Sequence, residues 1–100
     1  GYDDAGKNRG NALKGIIPMS DFDADARVVV NALQNHAAGN GQVGAVGICL
    51  GGHLAFRAAL LPEVLATACF YPTDLHTGTL GWGGGADSLA RAKDVHGELL

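Results

Sequence analysis

Apolar and polar positions along this chain fall into segments that predict strands and helices in turn. Residues 42–48 form a short apolar run that is typical of a buried strand. The following segment, residues 52–61, is rich in alanine and leucine and predicts a buried helix. A second apolar run, residues 65–71, predicts another strand. Strands that alternate with helices indicate a parallel α/β sheet with right-handed crossovers.

Further elements are predicted on both sides of this unit. Residues 21–37 carry apolar side chains at spacings of three and four, which predicts an amphipathic helix with Ser20 as its N-cap. After the second strand, a long Gly/Thr-rich loop is followed by a short helix from Leu89 to about Val95 and by a strand that begins near Glu98. The apolar stripe of the helix predicted over residues 21–37 consists of Phe22, Ala26, Val29, Leu33 and Ala37.

Residues 1–20 are polar and rich in glycine, and this composition predicts a surface loop that ends at Pro18. We therefore expect one partial domain over residues 1–100, with a loop segment (1–20) and a βα core (21–100). The chain begins with Gly1 and ends with Leu100 inside an apolar run, so both termini are interpreted as truncated.

Composition narrows the classes of function. The chain is 47% hydrophobic and 17% charged, which favours a covered core, and its net charge of −3 offers no basic face for nucleic acid. No apolar stretch reaches the length of a membrane span, and a cytoplasmic protein is expected. The two cysteines, Cys49 and Cys69, have neither a zinc spacing nor the number of a disulfide framework. We expect no metal site and no cofactor, and a bridge between these two cysteines stays open.

The residues with the clearest chemical meaning are Gly47-Ile48-Cys49-Leu50-Gly51. They connect a predicted strand to a predicted helix, the setting in which an α/β-hydrolase holds its nucleophile on a sharp turn. Cys49 would then lie at a helix N-terminus, where the helix dipole favours a negative group. Gly47 and Gly51 are expected to be required because side chains there would crowd the turn. The alternative is a buried cysteine in a tight turn without chemistry.

Residues 44–59 resemble the nucleophile region of the dienelactone hydrolase family, the cysteine branch of the α/β-hydrolases. Residues 68–71 and 88–100 also resemble segments that follow in that family. The resemblance implies a fragment of an α/β-hydrolase fold, with a parallel sheet, flanking helices and a nucleophile elbow. It also implies hydrolysis of a small-molecule ester or lactone through a cysteine nucleophile and a thioester intermediate.

By the same resemblance, Cys49 is the nucleophile and the backbone N–H of Leu50 belongs to the oxyanion hole. The triad Asp and His of the family would follow Leu100, and the second oxyanion donor would precede Gly1. The isolated chain is therefore expected to be inactive.

Several other residues are candidates for the site. Tyr71, His76 and Trp82 follow the second strand at the edge of the sheet where Cys49 lies, so they are candidates for pocket lining. Asp74 is an alternative triad acid. His76 is a poor candidate for the base, because it would precede an acid beyond Leu100. His53, one turn into the elbow helix, is expected at the helix surface or the edge of the core.

Two other classes of function remain open. The glycines between strand and helix, with Asp74 after the next strand, imitate a dinucleotide-binding turn and its ribose-binding acid. The spacing differs from Gly-x-Gly-x-x-Gly, and Cys49 has no purpose in such a turn. A hydrolase-like module without catalysis is the third interpretation.

Overall fold

Three parallel strands, β1 (Val43–Ile48), β2 (Val64–Phe70) and β3 (Glu98–Leu99), form one sheet in that order. The computed structural model describes residues 3–75, 77 and 87–100. The predictions for His76 and Trp82 therefore lie outside the described residues. The helices are α1 (Asp4–Ile16), α2 (Met19–Gln34), α3 (Leu50–Ala58) and a 3-10 helix (Leu89–Asp94).

The connections between the strands follow the predicted order. Helix α3 joins β1 to β2, and the segment with the 3-10 helix leads from β2 to β3. In the β1–β2 pair, Gly47 is opposite Cys69 and Ile48 is opposite Phe70. The carboxyl ends of both strands therefore lie side by side, at the edge where ligands bind in open α/β sheets. The predicted parallel α/β architecture is confirmed.

The core lies between the sheet and the helices on one of its faces. Val43 of β1, Val64 of β2 and Val30 of α2 form its centre, each no more than 6% exposed. Helix α3 adds Phe56, of which only 3% is exposed. Burying such a side chain contributes about 1.5–3 kcal/mol, so this layer fixes how α3 lies on the strands.

The amino-terminal third differs from the sequence-based expectation in two respects. Residues 4–16 form helix α1 instead of a loop, and the Asp3 carboxylate caps this helix by accepting the Gly6 N–H at 2.7 Å. Helix α2 begins at Met19 with Pro18 as its N-cap, so the cap predicted at Ser20 is wrong. Glycines lower helix propensity, which is why the sequence of α1 reads as a loop.

No member of the predicted apolar stripe of α2 is fully buried, and the residue that reaches the core lies outside that stripe. Val30 is the buried residue of the helix, whereas Val29 and Leu33 are more than half exposed. The opposite face of the sheet is also open, because Val46 is 71% exposed and Ile48 is 58% exposed. Among the described residues, no helix combines the length and the apolarity that a membrane crossing requires.

Candidate active site

Cys49 occupies a sharp turn between β1 and α3. Its backbone has φ 59° and ψ −121°, a conformation that a residue with a side chain rarely adopts, and the residue is exposed. Strained backbone of this kind persists only where the surroundings hold it, and it occurs preferentially at functional sites. The turn therefore presents the Cys49 thiol to solvent at the carboxyl edge of the sheet.

Backbone hydrogen bonds hold this turn from both sides. The Cys49 N–H donates to the Phe70 carbonyl at 2.9 Å, which extends the β1–β2 pairing into the turn. The Cys49 carbonyl accepts N–H groups from Gly52 at 3.0 Å and from His53 and Thr73, each at 3.2 Å. Two of these donors open helix α3 and the third lies in the loop after β2. The turn is thereby fixed to both neighbouring elements.

The close approaches at the turn explain one of the two predicted glycines. A Cβ atom at Gly47 would lie 1.9 Å from the carbonyl oxygen of Gly51, so no side chain fits there. A Cβ atom at Gly51 would meet nothing within 4 Å, and the crowding expected at that position is absent. The crowded position on the helix is Gly52, where a Cβ would lie 3.0 Å from the Phe70 oxygen. Helix α3 packs on the end of β2 at Gly52, and Gly51 points away from that contact.

The first turn of α3 offers a backbone donor beside the thiol. Leu50 is the first residue of the helix, and no hydrogen bond found among the described residues uses its N–H. The first N–H groups of a helix lack intrahelical acceptors and attract negatively charged oxygen. Cys49 and the Leu50 N–H thus bring a candidate nucleophile and a candidate oxyanion donor together.

His53 lies in a different environment from the one predicted. No part of its surface is exposed, so the expectation of a position at the helix surface or core edge is wrong. Its Nδ1 lies 2.7 Å from the Thr73 carbonyl oxygen and its Nε2 lies 2.5 Å from the Ser88 hydroxyl. Burial is the main cause that lowers the pKa of His53, with a smaller contribution from the Arg57 charge, so the ring is neutral near pH 7.

Arg57 joins three segments beneath the turn. Its guanidinium donates from Nε and Nη2 to the two carboxylate oxygens of Asp23, at 3.1 and 2.5 Å. Its Nη1 donates to Asp87 at 2.5 Å and to the Ser88 hydroxyl at 3.3 Å. The hydrogen bond from Arg57 lowers the pKa of Asp87. The side chain of Arg57 is only 5% exposed, and it fixes α2, α3 and the start of the 3-10 helix together.

Sequence reasoning missed this polar cluster. The partners of Arg57 lie 30 or more residues from it in the sequence, since Arg57 reaches back 34 residues to Asp23 and forward 30 residues to Asp87. No local spacing predicts such partners. The one available signal is the arginine in an otherwise apolar helix, because a buried charge requires partners.

The loop after β2 supplies further groups to the same edge. Tyr71 is 74% exposed and has φ 34°, and Asp74 has φ 57°. Because the Thr73 N–H bonds to the Cys49 carbonyl, these two residues lie on either side of a peptide that touches the turn. Of the three residues proposed to line a pocket, Tyr71 is the one that the structure describes, and it lies in the chain between Phe70 and Thr73, which both bond to the Cys49 backbone.

The second cysteine has a different position. Cys69 is half-buried in β2, and burial raises the pKa of its thiol. Both cysteines are free, so no bridge joins Cys49 to Cys69. Among the described residues there is no group of three His, Cys, Asp or Glu side chains that could hold a metal ion.

A non-glycine residue in a strained turn between a parallel strand and a helix defines the nucleophile elbow of α/β-hydrolases. The profile of the dienelactone hydrolase family matches residues 6–95. The chain belongs to the dienelactone hydrolase family, as its resemblance predicted. This membership favours the hydrolase-like interpretation of the glycine-rich turn over the dinucleotide-binding one.

One curated relative is a Saccharomyces cerevisiae protein named "Putative carboxymethylenebutenolidase". It is 42% identical over 91 residues, which make up 90% of this chain and 33% of that protein. The chain thus spans about a third of the length of this relative. No solved structure was found to match the chain.

Proposed function

We propose that the protein containing this chain hydrolyses a small-molecule ester or lactone with Cys49 as its nucleophile. The observation that carries the proposal is the exposed Cys49 thiol on a backbone at φ 59° and ψ −121°, between a parallel strand and a helix. Membership of the dienelactone hydrolase family and the name of the yeast relative support the same reaction class.

The reaction begins with attack of the Cys49 thiolate on the carbonyl carbon of the substrate. The C–S bond forms while the carbonyl electron pair moves to oxygen, and the Leu50 N–H donates to the resulting oxyanion. Loss of one such donor typically costs about 3–4 kcal/mol of transition-state stabilisation. The oxyanion then collapses, the C–O bond breaks, and the leaving oxygen takes a proton from a general acid.

Water completes the cycle by attacking the thioester at Cys49. The carboxylic acid leaves, and the thiol is restored. In this proposal the triad His and Asp that move these protons lie beyond Leu100, and the second oxyanion donor lies before Gly1. Tyr71, exposed beside the elbow, lines the substrate pocket. His76 and Trp82 are proposed for the same role.

The proposal is tested by ester hydrolysis in the full-length protein. Because the thiolate is the attacking group, Cys49→Ala is expected to lower kcat/KM for an activated aryl ester by about a thousandfold or more. Cys69→Ala is the matched control and is expected to retain the rate, since that thiol is half-buried and lies on the strand.

Full activity in Cys49→Ala would contradict the proposed nucleophile. A wild-type protein that binds but never hydrolyses esters or lactones would favour the alternative of a module without catalysis.

A further inference from the structure

We propose that His53 is a positioning residue that holds the Thr73 peptide, and with it the loop 71–75, against the turn at Cys49. The inference rests on the proposed function in one respect, since it takes Cys49 as the reacting group. The inference adds a role for His53, a buried side chain that takes no part in the proposed reaction itself.

The geometry places one peptide between the turn and helix α3. The Thr73 N–H donates to the Cys49 carbonyl at 3.2 Å, and the Thr73 carbonyl oxygen accepts from His53 Nδ1 at 2.7 Å. The His53 N–H itself donates to the same Cys49 carbonyl at 3.2 Å. Cys49, His53 and Thr73 therefore close a ring of hydrogen bonds, in which the imidazole is the one side chain.

The hydrogen bonds of His53 assign the position of its ring proton. A carbonyl oxygen can only accept, so Nδ1 carries the proton that is donated to Thr73. Nε2 then accepts from the Ser88 hydroxyl, which in turn accepts from Arg57 Nη1 at 3.3 Å. This direction of donation runs from Arg57 through Ser88 and His53 to Thr73, and it satisfies every polar atom of the ring.

A second proton on the ring would disturb this arrangement. Protonation at Nε2 places a positive charge in a fully buried site, with the Arg57 guanidinium bound to the same Ser88 hydroxyl. The other charged groups that act on His53 are Asp74 in the loop and Asp23 on α2, and both favour the proton. Burial and Arg57 outweigh them, since the pKa of His53 is lowered. The Nδ1–H bond to the Thr73 carbonyl persists on protonation and favours it, so acid disturbs the Ser88 side of the ring and not the hold on Thr73.

The loop that His53 holds has strained backbone of its own. Tyr71 has φ 34° and Asp74 has φ 57°, so both need neighbours that keep them in place. They lie on either side of the two residues that pack on the turn, Pro72 and Thr73. Release of the Thr73 peptide would free the backbone at Tyr71 and Asp74, and the Cys49 carbonyl would lose one of its three donors.

Two substitutions separate the two hydrogen bonds of the ring. In His53→Asn, the amide nitrogen takes the place of Nδ1 and can still donate to Thr73. In His53→Gln, the longer amide reaches the place of Nε2, so the bond to Ser88 is kept and the bond to Thr73 is lost. Ser88→Ala removes the Nε2 partner and the Ser88 contact with Arg57 but leaves the bond to Thr73, and it serves as a further control.

The test is amide hydrogen exchange by NMR in the full-length protein, together with the ¹⁵N shifts of the His53 ring. We expect the Thr73 amide to exchange at least about tenfold faster in His53→Gln, while His53→Asn and Ser88→Ala stay close to wild type. The amides of the β1–β2 ladder should change little. In wild type, Nδ1 should be the protonated nitrogen at pH 8.

Hydrolysis gives the second readout. His53→Gln should lower kcat more than it changes KM, whereas His53→Asn, which keeps the donor to Thr73, should have a kcat close to that of wild type.

Equal acceleration of amide exchange at Thr73 and in the β1–β2 ladder, or an unprotonated Nδ1 at pH 8, would overturn the inference. The ring shifts need only wild type, so they remain decisive if a variant does not fold. A wild type without hydrolysis would contradict the proposed function alone, because the exchange rates and ring shifts do not depend on turnover.

Discussion

The carbonyl oxygen of Cys49 ties the turn to both of its neighbouring elements. It accepts three N–H groups, two from the start of α3 and one from Thr73, and this saturation offsets the unfavourable φ of 59° at Cys49. The thiol then needs no hydrogen bond to be held in place. A change that removes one of these backbone contacts, directly or through a side chain that holds it, should therefore disturb the site.

The glycines of the turn give a prediction at this scale. Gly47→Ala is expected to destabilise the fold by about 3 kcal/mol or more, because its Cβ would overlap the Gly51 carbonyl and the backbone must move. Gly51→Ala is the matched control. It is expected to be neutral or to stabilise α3 by up to about 1 kcal/mol, since the space is open and alanine favours the helix.

Urea denaturation of both variants measures the difference. Equal losses of unfolding free energy in Gly47→Ala and Gly51→Ala would contradict the steric account of the turn.

Among the elements, helix α3 is fixed at its two ends by different forces. Its N-terminal end packs on β2 through Gly52, and farther along the Arg57 guanidinium binds carboxylates from two other segments. Phe56, which is only 3% exposed, contributes apolar burial between these two positions. The helix that carries the elbow is thus oriented by an ion-pair cluster as well as by the core.

Asp23 is predicted to matter most in this cluster. Asp23→Ala should lower the free energy of unfolding by about 2–4 kcal/mol, because it removes a paired contact from a guanidinium that is almost fully buried. Asp25→Ala, an exposed acid on the same helix, should cost less than about 0.5 kcal/mol. Thermal denaturation of both variants provides the comparison, and a similar loss in each would show that Arg57 does not depend on Asp23.

Some of the helices, strands and site residues could be predicted from the sequence, and others could not. The strands and α3 were predictable because apolar runs and glycine punctuation are local signals, and Cys49 stood out for the same reason. Helix α1 was missed because its glycines conceal the pattern, while its cap at Asp3 gives only a weak signal. The burial of His53 was missed because Thr73 and Ser88 lie 20 and 35 residues away, and only folding brings them together.

For the molecule as a whole, the buried imidazole connects stability to pH. The folded state lowers the pKa of His53 below its usual value of about 6.5, so the unfolded chain binds more protons in this range. The stability contributed by neutral His53 is fully present above that value and is lost as the pH falls toward the folded pKa. At lower pH the lowered pKa of Asp87 acts in the same direction.

We therefore expect the free energy of unfolding to decrease between pH 7.5 and pH 5.5, and the decrease to be smaller in His53→Asn. Chemical denaturation at several pH values measures both slopes. The other three histidines, His36, His76 and His96, are present in both proteins, so their contributions cancel in the comparison. Identical slopes in wild type and His53→Asn would contradict a buried neutral ring.

The most direct test of the central claim is to identify the covalent intermediate. The full-length protein is mixed with an activated ester, quenched in acid within the burst phase, digested and mapped by mass spectrometry. The account predicts an acyl group on the peptide that contains Cys49 and none on the peptide with Cys69. An acyl group on another residue, or turnover with Cys49 never acylated, would contradict it.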